Sequence, residues 1–208
     1  MNKGRLETFC DGVIAIIITI MVLEMKAPQD AGLDALCPVW PAFASYVLSF
    51  IYVGIYWNNH HHLFQTVHRV SGPALWASLH WLFWLSLIPF VTRWMGATQF
   101  ATWPVAIYGV VMLMCGAAWD LTRRVLLCSH NADSDLARAM MGHAKESASL
   151  ALYAIAIGLA FVNVWLACAL YGLVAAIWII PDRRIERAIN TPVSRPPLRS
   201  NLNDSEGK

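Results

Sequence analysis

The residues best suited to chemistry in this chain are a few polar groups set within apolar sequence. Arg5 and Asp11 lie at the start of the first apolar run, His60, His61 and His62 close the second, and His80 sits within the third. A carboxylate desolvated alone costs several kcal/mol, so Asp11 should have a partner. Arg5, Asp11 and one or two of the histidines fall at roughly one depth, and a network among them would lock the first three helices together. A histidine beside a carboxylate can also titrate near neutrality. A proton pathway, or proton-coupled transport, through Asp11 with His60 or His61 is therefore the alternative to a structural role. The triple histidine also raises metal or haem binding. Helical neighbours are about 100° apart, so the three rings cannot converge on one ion. Asp11 is the sole carboxylate inside a span, and a bis-histidine haem using His80 has no further support. His130 and His143 fall in a loop and are given no role. With no Ser/His/Asp set, phosphate loop or carboxylate pair, neither an enzyme nor a cofactor is expected.

The elements that must position these groups are set by composition. Apolar residues make up 58% of 208 positions and charged residues 13%, with a mean hydropathy of +0.50. Six spans of about 20 residues need about 120 apolar positions, which this composition supplies. A net charge of +2 without a dense basic stripe argues against nucleic-acid binding. The five cysteines, Cys10, Cys37, Cys115, Cys128 and Cys168, form no CxxC pair, which argues against a disulfide framework or a zinc site.

Apolar stretches run over 9–23, 41–59, 74–92, 101–119, 147–162 and 164–180. Each is expected to be a helix, because lipid offers no partner for open backbone groups. Lys3 and Arg5 before the first run resemble a signal peptide, but no small-residue cleavage site follows, and the run reads as a retained span. Only Asn163 separates the last two runs. With six spans and an internal N-terminus, 13 of the 15 Lys and Arg residues lie inside, and only Lys26 and Arg93 lie outside. Merging the last two spans would expel the basic residues of the tail, so the positive-inside rule favours a hairpin and places both termini in the cytoplasm. Eight of the ten tryptophans fall near span ends, Trp81 and Trp84 lying deeper. The connection 120–146 has the pattern of a short amphipathic helix with Ser134 as cap. The expected organisation is an all-α membrane domain over 1–190 and a polar, disordered tail over 191–208.

The stretch Arg5-Leu6-Glu7-Thr8-Phe9-Cys10-Asp11 resembles the RxxxFSD signature of the lysosomal-type potassium channels (the transmembrane protein 175 family) in its bacterial single-repeat form, with Cys10 in place of the serine. The continuation to Glu24 is similar to that family's first helix. Trp57-Asn58-Asn59-His60-His61-His62-Leu63-Phe64 resembles its W-x-x-H-H-x-L-F ending of the second helix. With the six-span layout, the resemblance covers the chain to about Arg187.

That resemblance implies a homotetramer in the lipid bilayer of a bacterial plasma membrane. It implies a leak-type potassium channel whose first helices line a central pore without a pore loop, and no TVGYG segment occurs in the sequence. It implies an apolar constriction at Ile16, followed by Ile20 and Leu23, with Thr19 at a position linked to cation selectivity. Arg5, Phe9, Cys10, Asp11, Trp57, His60 and His61 would form the motif and its structural network. On a helical wheel Thr19, Ile20 and Leu23 fall within about 60° of Ile16, while Asp11 lies about 140° away. Taken alone, that wheel favours a face turned to lipid over one lining a pore.

Overall fold

The computed structural model describes residues 3–28, 31–67, 70–128 and 143–179. Helix α1 spans Lys3–Leu23, followed by a short 3-10 helix at Leu33–Val39. Then come α2 (Trp40–Thr66), α3 (Gly72–Ser86), α4 (Ile88–Ala97), α5 (Thr102–Cys128), α6 (His143–Ala160) and α7 (Val164–Ile179). The described residues contain no strand. The segments Lys3–Leu23, Leu33–Gln65, Gly72–Ala97 and Thr102–Leu126 are long and apolar enough to cross a membrane, and Val164–Ile179 is a shorter apolar helix. With α3 and α4 taken as one span, the described residues form six helices of a multi-pass membrane protein. The amphipathic segment expected around Ser134 and the tail from 191 lie outside the described residues.

Local chemistry sets the helix ends. Proline stands in the first turn of α2, where its missing N–H costs nothing. The Ser71 hydroxyl caps α3 by accepting from the Ala74 amide at 3.4 Å. The last two spans form the expected hairpin: α6 stops at Ala160, and the Asn163 side-chain oxygen accepts the Trp165 amide at 2.9 Å to start α7. The third apolar stretch differs from the single helix expected of it. It breaks at Leu87 between α3 and α4 because Pro89 in the first turn of α4 cannot donate backward and crowds the preceding turn.

Helix α5 packs against α3, α4 and α6, with α7 closing on α6. Helix α1 lies at one side of the bundle, against α2, α3 and α4. Lipid gives no hydrophobic drive for helix association, so close packing and buried hydrogen bonds must hold the bundle. Two glycines permit the closest approaches. A Cβ on Gly96 would meet the Ala42 Cα at 2.6 Å, and one on Gly109 would meet the Tyr171 hydroxyl at 2.1 Å. Between them runs a polar seam: Ser49 hydrogen-bonds Thr92 at 2.7 Å and Tyr108 at 3.2 Å. Tyr52 donates to the Tyr171 carbonyl at 2.5 Å, and Tyr171 donates to the Val105 carbonyl at 3.1 Å. Each buried hydroxyl is thereby satisfied where water is absent.

Candidate functional site

Helix α1 is divided lengthwise. Leu6, Cys10, Ile14, Ile17 and Met21 are buried in the core. Their spacing of three and four places them on one stripe. The opposite stripe is left open although it is apolar: Ile16 is 57% exposed, Ile20 41% and Leu23 80%. Thr19 is also exposed on this stripe, and its hydroxyl donates to the Ile16 carbonyl at 2.9 Å. That bond spends the hydroxyl's one proton on the helix itself, leaving its oxygen lone pairs toward the open side. Gly12 and Phe9 lie on the same open side. A groove of about 490 Å³ runs beside it, walled by Ile16 and Ile20 of α1 and by Pro89, Phe90 and Arg93 of α4.

At the N-terminal end of α1 the structure sorts the polar residues named from sequence. His60 is 1% exposed, and its Nδ1 lies 3.9 Å from an Asp11 carboxylate oxygen. That gap is too long for a direct hydrogen bond. Its ring stacks on Trp81 at 5.4 Å between centroids and packs on Phe64 at 4.4 Å. Neither His60 nitrogen has a hydrogen-bond partner among the described residues. The Asp11 side chain is 43% exposed, so the carboxylate sits at the flank of the helix rather than within the subunit. His61, 100° further round, points outward. It stacks on Trp57 at 6.3 Å, meets Gln65 at 3.1 Å and approaches Glu7 at 3.7 Å. Cys10 is buried, while Arg5 and Phe9 are exposed. Within one chain, then, Asp11 is brought to His60 and Glu7 to His61, and Arg5 joins neither pair. His80 stands apart and accepts from the Trp84 indole at 3.1 Å.

Three charged groups were missed by sequence reasoning. Glu7 is the first; it stands four residues before Asp11, and on a helix that spacing is a shared face. The second is the ion pair between Glu24, just past α1, and Arg93 of α4. The third lies on α5, where Arg123 is only 4% exposed. It reaches Asp120 at 2.8 Å and Glu146 of α6 at 3.3 Å, while Arg124 holds the other Asp120 oxygen at 2.7 Å. The pairs within α5 follow the helical spacings of three and four, a signal readable in advance. The two arginines thus take one Asp120 carboxylate oxygen each. Among the described residues no group of three or more His, Cys, Asp or Glu side chains could hold a metal ion.

Comparison with known proteins gives this geometry a context. The family model described as endosomal/lysosomal potassium channel TMEM175 matches residues 5–89, which carry α1, α2, α3 and the start of α4. A protein of Chryseobacterium sp. named as a potassium channel is 50% identical over 189 residues, covering 91% of this chain and 98% of the relative. A Streptomyces collinus protein also named as a potassium channel is 34% identical over 189 residues, covering 84% of this chain and 91% of that one. The crystal structure of a lysosomal potassium-selective channel TMEM175 homolog from Chamaesiphon minutus superposes with a TM-score of 0.74 at 26% identity, covering 91% of this chain and 98% of that one. Full-length similarity of this degree, on top of the motif and the six-helix bundle, places the chain in the TMEM175 family.

Proposed function

We propose that this protein is a potassium-selective, leak-type channel of a bacterial plasma membrane. Four copies assemble with their α1 helices around a central axis. Ile16, with Ile20 and Leu23 beyond it, forms an apolar constriction, and the Thr19 hydroxyls lie beside it. Both termini face the cytoplasm, and residues 191–208 form a polar tail outside the membrane domain of 1–190. Cys10, Asp11, Trp57, His60 and His61 hold the cytoplasmic end of α1 in place, and the exposed Arg5 and Phe9 complete the motif toward neighbouring chains.

The observation that carries this reading is the division of α1. One stripe is packed into the bundle, and the other, bearing Ile16, Ile20 and Leu23, is left open within a single chain. An open face toward lipid would need no groove beside it and no hydroxyl on it. A face lining a shared pore has use for both, since an apolar ring passes ions only when it stays wet. The names borne by the bacterial relatives support the choice of potassium.

The test is a reversal-potential measurement on purified protein in planar bilayers, with potassium opposed to sodium. A potential displaced toward the potassium equilibrium value is expected. A potential near zero would overturn selectivity. A potential that follows an imposed pH difference would instead favour a proton pathway through Asp11 and His60 or His61. Native mass spectrometry of the same sample should give four chains.

A further inference from the structure

Two basic residues break the inward bias of this chain's charges, and both line one pocket. Lys26, just past α1, and Arg93 of α4 lie on a cavity of about 340 Å³ between the end of α1, the 3-10 helix, the start of α2 and α4. The volume is about that of ten water molecules in the liquid. Arg93 gives one nitrogen to Glu24. Its guanidinium has five N–H donors, so that pair leaves donors over, and Lys26 adds a second charge. Among the described residues, Glu24 is the one carboxylate lining the pocket, and the two cations outnumber it.

The surroundings fit a lipid rather than a soluble anion. Tyr46 lines the pocket and is also the third ring of a ladder along one face of α2. Trp40, Phe43, Tyr46 and Phe50 follow one another at centroid separations of 5.9, 6.5 and 6.0 Å. Trp40, Phe43 and Phe50 are exposed. Aromatic rings of this kind gather where headgroups meet acyl chains. The pocket also borders a backbone held at a cost. Gln99, which lines it, and the next residue, Phe100, both take positive φ, 51° and 59°. Non-glycine residues adopt that conformation only when the surroundings impose it.

We propose that this pocket holds the phosphate of an anionic phospholipid, with Lys26 and the unused edge of Arg93 on the phosphate and an acyl chain along the α2 ladder. The proposal rests on the membrane placement of the fold. It does not depend on which ion is conducted.

The experiment titrates delipidated, detergent-purified protein with palmitoyl-oleoyl phosphatidylglycerol, with the matching phosphatidylcholine, or with inorganic phosphate, and counts adducts by native mass spectrometry. Phosphatidylglycerol should bind several-fold more tightly than phosphatidylcholine, and inorganic phosphate should not compete at equal concentration. One basic residue near a membrane is worth about 1 kcal/mol against an anionic headgroup. Lys26→Gln should therefore weaken phosphatidylglycerol about fivefold, with phosphatidylcholine unchanged and Lys26→Arg restoring the difference. Lys26 is exposed and outside any helix, so neither variant threatens the fold. Equal affinity for the two lipids, an indifferent Lys26→Gln, or effective competition by inorganic phosphate would each overturn the proposal. A protein that retains this lipid but conducts no potassium would sink the channel reading alone.

Discussion

The decisive perturbation is Ile16→Asn, because the structure separates its effect on permeation from its effect on folding. Fully burying an isoleucine-sized side chain is worth about 1.5–3 kcal/mol. Ile16 is already 57% exposed in one chain, so less than half of that is at stake, about 1 kcal/mol. The variant should fold and insert. In the assembled channel four amides would replace four apolar tips, each offering water a hydrogen bond worth about 0.5–1.5 kcal/mol net. One such bond gained at the narrowest point lowers the barrier enough for roughly a two- to twelvefold rise in conductance. Discrimination between potassium and sodium should fall at the same time. The control must be chosen from burial as well as angle. Ile17 lies about 100° round from Ile16, but it is 3% exposed. Ile17→Asn would bury an amide and forfeit core contacts, costing several kcal/mol, and would report on folding. Val22 is 44% exposed and about 120° from Ile16, so Val22→Asn is the sound comparison. Single-channel recording in planar bilayers supplies the readout. Equal gains from Ile16→Asn and Val22→Asn would refute the assignment of this face to the pore.

Three further outcomes are expected. Thr19→Val removes the hydroxyl nearest Ile16 on the open stripe while keeping its shape; it should reduce the potassium preference in a reversal-potential measurement without blocking current. Asp11→Ala should cost a single chain under about 1 kcal/mol, since the carboxylate is 43% exposed and 3.9 Å from His60. Loss of the tetramer on size exclusion at unchanged helicity would show that Asp11 is needed between chains, and a monomer unfolded by this change would count against that view. Gly109→Ala places a Cβ 2.1 Å from the Tyr171 hydroxyl and 2.8 Å from Ile157; it should destabilise by about 1–3 kcal/mol, whereas Gly158→Ala, with nothing within 4 Å, should be neutral or better in the same thermal melt.

How much of this was legible in the sequence follows from what each pattern can encode. Span positions and the hairpin at Asn163 depend on hydropathy and the sidedness of charge, both written locally, and the structure bears them out. Helix α7 shows the limit of that signal. It is apolar all round, and nothing in its pattern says that Ala167, Tyr171, Val174 and Ala175 face the core. Helix α1 was readable because Ile16, Thr19, Ile20 and Leu23 share one side on the wheel. Which side faced the bundle was settled by the small and slender Cys10, Ile14 and Ile17 fitting against α2, α3 and α4, a fact of packing rather than of spacing. The break at Leu87 was carried by Pro89 but hidden by the unbroken apolar run around it.

The polar residues divide along the same line. A helix fixes that His60 and His61 diverge by about 100°, yet it does not say which one turns inward. That choice was made by Trp81, on a helix met only after the chain has turned at Ser71, whose ring offers His60 a stacking surface. Arg123 is the sharper case. The positive-inside rule counts its charge toward the inner side of the membrane, but that rule treats every arginine alike. Arg123 is nonetheless 4% exposed, clamped between Asp120 on its own helix and Glu146 on the next. Removing one member of such a cluster leaves a buried charge uncompensated, at about 3–5 kcal/mol, whereas Arg124 is 58% exposed. Two adjacent arginines that topology cannot distinguish thus do different work: one ties α5 to α6 inside the bundle, and the other lies at its surface, bonded only to Asp120 among the described residues.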